Sequence, residues 1–202
     1  MDDFFSSNLV SLTGLPCAIP SYSHESRREL FYTFPLSVER LSGYSDRLNI
    51  ILRQEMLPLL PSAGTEHIHI SGELRSFNNR SGSGSRLVIT VFAREITAAE
   101  EDDWENSVEL AGTICKAPSL RLTPMGREIC DLLLAVNRRY GRSDYLPCIA
   151  WGQNARLAAQ LQVGDRIVLL GRLQSREYIK NLDGEILRRT AFEVSVSELQ
   201  RL

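Results

Sequence analysis

Slid 98 positions along itself without a gap, this sequence meets itself. "NLVSLTG" at 8–14 falls on "NSVELAG" at 106–112, Cys17 on Cys115, and the "PS" at 20–21 on the "PS" at 118–119. The same shift sets Val38, Arg40, Ser45, Asp46, Leu48 and Ile51 over Val136, Arg138, Ser143, Asp144, Leu146 and Ile149. One register held over more than 40 positions marks an internal duplication. After a small insertion, "SGELRS" from Ser71 meets "LGRLQS" from Leu170. The expected organisation is two copies of one domain, 1–99 and 106–202, each long enough for a core of its own. Between them "EEDDWENS" carries five acids in eight positions, so 100–105 reads as a solvated acidic linker.

Each copy reads as all-β. In the second, "VELAGTI" alternates, and "ICDLLLAVNR" puts Cys130, Leu132, Leu134 and Val136 on one side of a strand. "YLPCIAW" continues as a third strand, then "NARLAAQL" predicts a short amphipathic helix with Asn154 as N-cap and Leu157, Ala158 and Leu161 inward. "RIVLLGRLQSREY" and "RRTAFEVSVSEL" form a final hairpin turned over Asp183-Gly184. Five strands with a helix between the third and fourth are the pattern of an oligonucleotide-binding (OB) fold, a five-stranded Greek-key barrel. The chain therefore predicts tandem OB-folds, with at most one short helix in each.

Alternation on the third strand sends Leu146, Cys148 and Ala150 to one side and Tyr145, Pro147, Ile149 and Trp151 to the other. The first set suits a barrel interior. The second is exposed unless something covers it, and Pro147 predicts a bend or a break in pairing near the strand's start. Charge points the same way. Residues 1–105 hold 9 Lys or Arg against 15 Asp or Glu, net −6, while 106–202 hold 14 against 10, net +4. Arg138, Arg139 and Arg142 flank Tyr140, and Arg172, Arg176, Lys180, Arg188 and Arg189 surround Tyr178 on the last hairpin. Basic side chains interleaved with flat rings suit a single-stranded nucleic acid, cations meeting phosphates and rings stacking on bases.

At this point the residues resemble a family. "LAVNRRYGRSDYLPCIAWGQNARLAAQLQVGDRIVLLGRLQSREY" together with "TAFEVSVSEL" is similar to the bacterial single-stranded DNA-binding proteins, with primosomal relatives as weaker neighbours. The resemblance covers essentially all of 106–202 and reaches the first copy only through the repeat. It implies an OB barrel, sequence-tolerant binding of single-stranded DNA in replication, recombination and repair, and assemblies of four barrels, which a homodimer of this chain would supply. Tyr145, Trp151 and Tyr178 match base-stacking aromatic positions of the family, and Tyr140 falls near a fourth. The first copy departs from the pattern: Arg47 stands where the second has Tyr145, Arg53 where it has Trp151, and Asn79 where it has Tyr178. Phe77, Tyr44, Arg75, Arg80 and Arg86 are its remaining candidates, so weaker binding or a role in assembly is expected. "NNRSGSGSR" at 78–86 reads as a mobile hairpin loop. Family members continue into a polar tail with an acidic, aromatic tip that recruits replication and repair proteins. No such tip follows "SELQRL", which leaves recruitment lost, placed elsewhere, or carried by a segment outside these 202 residues.

Other classes find less support. The sequence lacks HExxH, a P-loop, a nucleophile elbow and a dinucleotide fingerprint, so no enzyme, cofactor or metal site is expected. His67 and His69 are a metal hint only if a third ligand converges. Cys17, Cys115, Cys130 and Cys148 form no CxxC pair and read as reduced thiols, with the buried ones acting as small hydrophobes. No apolar run is long enough for a bilayer-spanning helix, and a cytoplasmic setting, bacterial, phage or plasmid, is expected. The competing function is a non-enzymatic module that binds a protein partner or serves a primosome, since rings and arginines anchor protein interfaces too.

Overall fold

The structure, a computed structural model, describes residues 7–79, 86–138, 141–182 and 185–202, with backbone alone at 179–182, 185 and 187. Arg80, Arg139, Tyr140, the Asp183-Gly184 turn and the side chain of Lys180 thus lie outside the described residues. Those described divide into two compact units. One takes in 108–202 with 7–8, 76–79 and 86–88, the other 9–75 and 89–107.

The first repeat runs β1 (Asn8–Pro16), β2 (Ser21–Ser26), β3 (Glu29–Glu39), β4 (Ser45–Arg53), a 3-10 helix (Gln54–Leu59), β5 (Ile68–Asn78) and β6 (Leu87–Ala98). Its strands lie in the order β2-β3-β4-β6-β5-β1, and β1 also pairs with β3. The second runs β7 (Asn106–Ile114), β8 (Ser119–Leu122), β9 (Glu128–Asn137), β10 (Ser143–Trp151), α1 (Gly152–Ala158), β11 (Arg166–Leu182) and β12 (Glu185–Arg201). Its order is β7-β11-β12-β10-β9-β8, and β7 also pairs with β9. The described residues are all-β in class, and among them β4 pairs in parallel with β6 and β10 with β12.

The 98-residue shift survives as hydrogen-bond register. β3 and β4 pair from Phe31↔Arg53 to Glu39↔Ser45, and β9 and β10 pair from Ile129↔Trp151 to Asn137↔Ser143. The turn between them repeats as well. Arg40 N–H donates to Tyr44 O and Arg138 N–H to Arg142 O, both at 2.7 Å, with Gly43 (φ +77°) and Gly141 (φ +75°) in the left-handed region. Inside each turn lies a fully buried carboxylate, Asp46 or Asp144, clasped by the arginine six residues earlier. Two more glycines recur where strands cross closely. A Cβ on Gly112 would sit 2.6 Å from Ala135 O, and one on Gly171 would strike Ser195 O; Gly14 and Gly72 repeat this against Ser37 O and Phe92 O.

Alternation places the core as expected on β9: Cys130, Leu132, Leu134 and Val136 are buried, joined by Leu110, Ile114, Leu146, Ala150, Ile167, Leu169, Leu173, Val194 and Val196. Each fully buried Leu, Ile or Val removes enough apolar area to contribute roughly 1.5–3 kcal/mol.

Several expectations change. β2 and β8 join the five strands of each repeat; every residue of both is exposed, so neither carries the apolar alternation that signals a strand. The helix begins at Gly152, whose φ of +53° turns the chain straight out of β10, and its N-cap is Trp151 without a side-chain bond. Asn154, the expected cap, instead donates from Nδ2 to Ser197 O. Ala155 and Ala158 face inward while Leu157 is exposed. Ile149, expected on the open face, is buried.

Pro147 stands in an unbroken ladder with β9, opposite Leu133, but the pairing with β12 spans only Cys148 to Ala150. The first repeat has its own proline on the same rung, Pro35 opposite Asn49. A proline on either strand there fits a non-hydrogen-bonded pair, whose N–H groups point away from each other.

Two predictions follow from the packing. Gly171→Ala should lower the unfolding free energy by about 1–3 kcal/mol in denaturant titrations, because backbone must shift to admit the methyl group. Gly126→Asn, at a φ of +75° in open space, serves as the tolerated control. Burial pushes the Cys115, Cys130 and Cys148 thiols above their ordinary value of 9.0. As pH rises past that value the unfolded chain releases thiol protons that the folded chain keeps, so stability falls. The expected loss for fully buried Cys148 approaches about 1.4 kcal/mol per pH unit, and Cys148→Ala should shrink it in melts from pH 8 to 10.5.

Candidate nucleic-acid interface

Register decides which side chains of the second repeat share a surface, because residues paired directly across a sheet point to the same side. Tyr145, Pro147 and Trp151 alternate with the core residues of β10, and Tyr145 and Trp151 are 48% and 38% exposed. Six residues of strand set the two rings about 20 Å apart. Ile149 pairs with Ser195 of β12, and Ser195 pairs with Arg172 of β11. From Arg172 the even positions Gln174, Arg176 and Tyr178 continue along that side of the hairpin, with Tyr178 opposite Arg189. Tyr145, Trp151, Arg172, Arg176, Tyr178 and Arg189 therefore share one side, opposite Leu146, Cys148, Leu173 and Val194. Arg188 pairs with Ile179 and stands on the other side of the hairpin.

On the far side of β10 the row Trp151–Ile129–Arg121 runs onto β8. Sequence reasoning missed Arg121, since β8 itself gave no signal. Its guanidinium donates to both oxygens of Asp131, at 2.5 and 3.1 Å, and this hydrogen bonding raises its already high pKa.

Individual arginines differ in what holds them. Arg138 is committed to the fold: Nε donates to Asp144 Oδ2 at 2.6 Å and Nη2 to Oδ1, while the carboxylate is wholly buried. Arg176 pairs with Glu193 at 3.4 Å, and Arg142, Arg172 and Arg188 are exposed. Tyr178 and Arg189 are half-buried.

In the first repeat the corresponding side carries a different chemistry. Arg53, at the Trp151 position, pairs with Glu29 at 3.3 Å and lies 5.6 Å from the ring centre of Phe92. Arg94 and Arg75 approach the same ring at 4.7 and 6.0 Å, and both meet Glu73. One ring there is ringed by three guanidinium groups, themselves met by acids, a cation–π cluster that the strand alternation of β6 did not reveal. Arg47 is exposed, as are Phe77 and Arg86, and Asn79 N–H donates to Arg86 O at 2.7 Å across the neck of the β5–β6 connection. His69 lies between Ser11 and Thr13 and 3.6 Å from Glu105. Among the described residues no three His, Cys, Asp or Glu side chains gather where a metal could sit, and no helix is long and apolar enough to cross a membrane.

Comparisons with known proteins bear on sequence family and fold. The Single-strand binding protein family matches residues 105–202. "Single-stranded DNA-binding protein 2" of Listeria innocua is 36% identical over 87 residues, 40% of this chain and 54% of its own length. "Single-stranded DNA-binding protein" of Thermus aquaticus is 37% identical over 101 residues, 48% of this chain and 37% of its own. The chain thus spans about half the length, or less, of these relatives. The crystal structure of wild-type single-stranded DNA binding protein from Thermus aquaticus superposes with a TM-score of 0.77 at 24% identity, covering 98% of this chain and 93% of that one, a likeness of fold. Of the two all-β repeats it is thus the second, residues 105–202, that matches the Single-strand binding protein family.

Proposed function

We propose that this protein binds and protects single-stranded DNA with little regard to sequence, in replication, recombination or repair. The observation that carries the reading is register: Tyr145, Trp151, Tyr178, Arg172 and Arg176 fall on one side of the β10–β12–β11 sheet while the core fills the other. Rings along a strand accept bases of any identity, and guanidinium groups beside them neutralise phosphates. Binding makes and breaks no covalent bond, so the surface needs neither nucleophile nor metal. In this reading each repeat, 1–99 and 106–202 flanking an acidic linker at 100–105, is a five-stranded Greek-key OB barrel. Tyr140, Arg139, Arg142, Lys180 and Arg189 extend the contact surface of the second, Arg188 offers a further cation from the hairpin's other side, and Arg138 holds its turn. The first repeat, with Arg53, Arg75 and Arg94 already met by acids, binds more weakly or serves assembly. A homodimer would present four barrels.

Titration of the full chain with an unlabelled dT oligomer tests this. Tryptophan emission should quench on tight binding, weaken as salt rises, and respond far less to duplex DNA. Trp104→Phe leaves Trp151 as the sole tryptophan reporter. Equal affinity for duplex and single strand, or none for either at low salt, favours a protein-binding or primosomal module instead. The Tyr145→Ala, Trp151→Ala pair should cost roughly 1–3 kcal/mol of binding per ring while barely lowering the melting temperature, as the rings are partly exposed. Parallel loss of folding would assign the rings to structure.

A further inference from the structure

Three hydrogen bonds converge on one serine of the first repeat. Ser76 lies near the end of β5 and is 8% exposed, and it belongs to the compact unit that contains the second repeat. Its N–H donates to Asp144 Oδ1 at 2.5 Å, its carbonyl accepts from Arg138 Nη2 at 3.0 Å, and its Oγ accepts the N–H of Tyr145 at 2.7 Å. These contacts fall where β10 is not laddered to β12, whose pairing covers only Cys148 to Ala150. Left alone, that stretch is a strand edge with backbone donors looking for partners. Ser76 meets it like one residue of an added strand, using its hydroxyl where a carbonyl would ordinarily serve.

We propose that Ser76 is a positioning residue of the DNA-binding surface: it fixes the peptide from which the Tyr145 ring projects, so the base-stacking strand of the second repeat is completed by a residue of the first. The inference rests on the binding function proposed above. Its chemistry is specific. The buried Asp144 carboxylate has its charge matched by Arg138, and Ser76 ties both partners to the amide that follows them. A ring held on a fixed peptide binds a base without first being ordered, and that ordering would otherwise weaken the complex. Alanine at position 76 keeps the two backbone bonds and removes only the acceptor for Tyr145.

The test is a double-mutant cycle in the full chain, read with a short dT oligomer. Ser76→Ala should weaken binding about three- to tenfold, the worth of one neutral hydrogen bond. In a Tyr145→Ala background the same change should alter affinity by less than about twofold, because no ring remains to be positioned. Hydrogen exchange of the Tyr145 amide should accelerate about tenfold or more in Ser76→Ala, with the amides of Leu134 and Val136 unchanged. Unchanged affinity and exchange in Ser76→Ala overturn the inference, as does an equal affinity loss with and without the Tyr145 ring, which would signal general destabilisation. Failure of the wild-type chain to bind the oligomer instead rejects the binding function itself, and the positioning role with it.

Discussion

The second repeat is organised around a charge that water cannot reach. Asp144 has no exposed surface, and an ionised carboxylate in that position is tolerated only when its lone pairs and charge are met. Arg138 meets it with two parallel donors from six residues upstream, and that pairing holds the β9–β10 turn across residues 138–144. Since the turn sets the register of β10, and alternation then fixes which way each side chain points, the exposure of Tyr145 and Trp151 descends from this one ion pair. Its recurrence as Arg40 with Asp46 shows the same solution in a repeat whose surface has diverged.

That divergence separates framework from surface. Both repeats keep the buried ion pair, the turn glycine, the two crowded glycines and the proline rung, all of which answer to backbone geometry or buried charge. What differs is the open side of β4 and β10. The second repeat offers two rings there, whereas the first offers Arg47 and Arg53, with Arg53 joining Arg75 and Arg94 around Phe92. A stacking surface needs uncovered π-faces and cations free for phosphate, and acids at Glu29 and Glu73 already engage Arg53, Arg75 and Arg94 of the first repeat.

Much of this was legible in the chain because it rests on period and spacing. The duplication, the strands with one buried side, the core of β9 and the aromatic side of β10 follow from alternation and self-comparison. The errors have physical causes too. β2 and β8 escaped because a fully exposed strand has no alternation to read. Asn154 looked like a helix cap, but a left-handed Gly152 had already started the helix. Ile149 has the parity of an exposed residue yet is buried, since parity gives a direction and says nothing of what lies over it.

By itself the sequence determined that an all-β strand pattern is repeated along the chain, which strand of the second repeat presents rings, and that the second half is the basic one, because these depend on residue order and charge alone. Only the tertiary structure decided that Arg138 is committed to Asp144, that the hairpin arginines and Tyr178 share a side with Tyr145 and Trp151, and that Ser76, 69 positions away, receives the Tyr145 amide. The Arg138–Asp144 pair spans one turn of six residues, but the shared side of the hairpin and the Ser76 contact belong to register and to contacts between distant segments. No local pattern encodes them, since a hydrogen bond formed across so long a loop leaves no periodic trace in either segment.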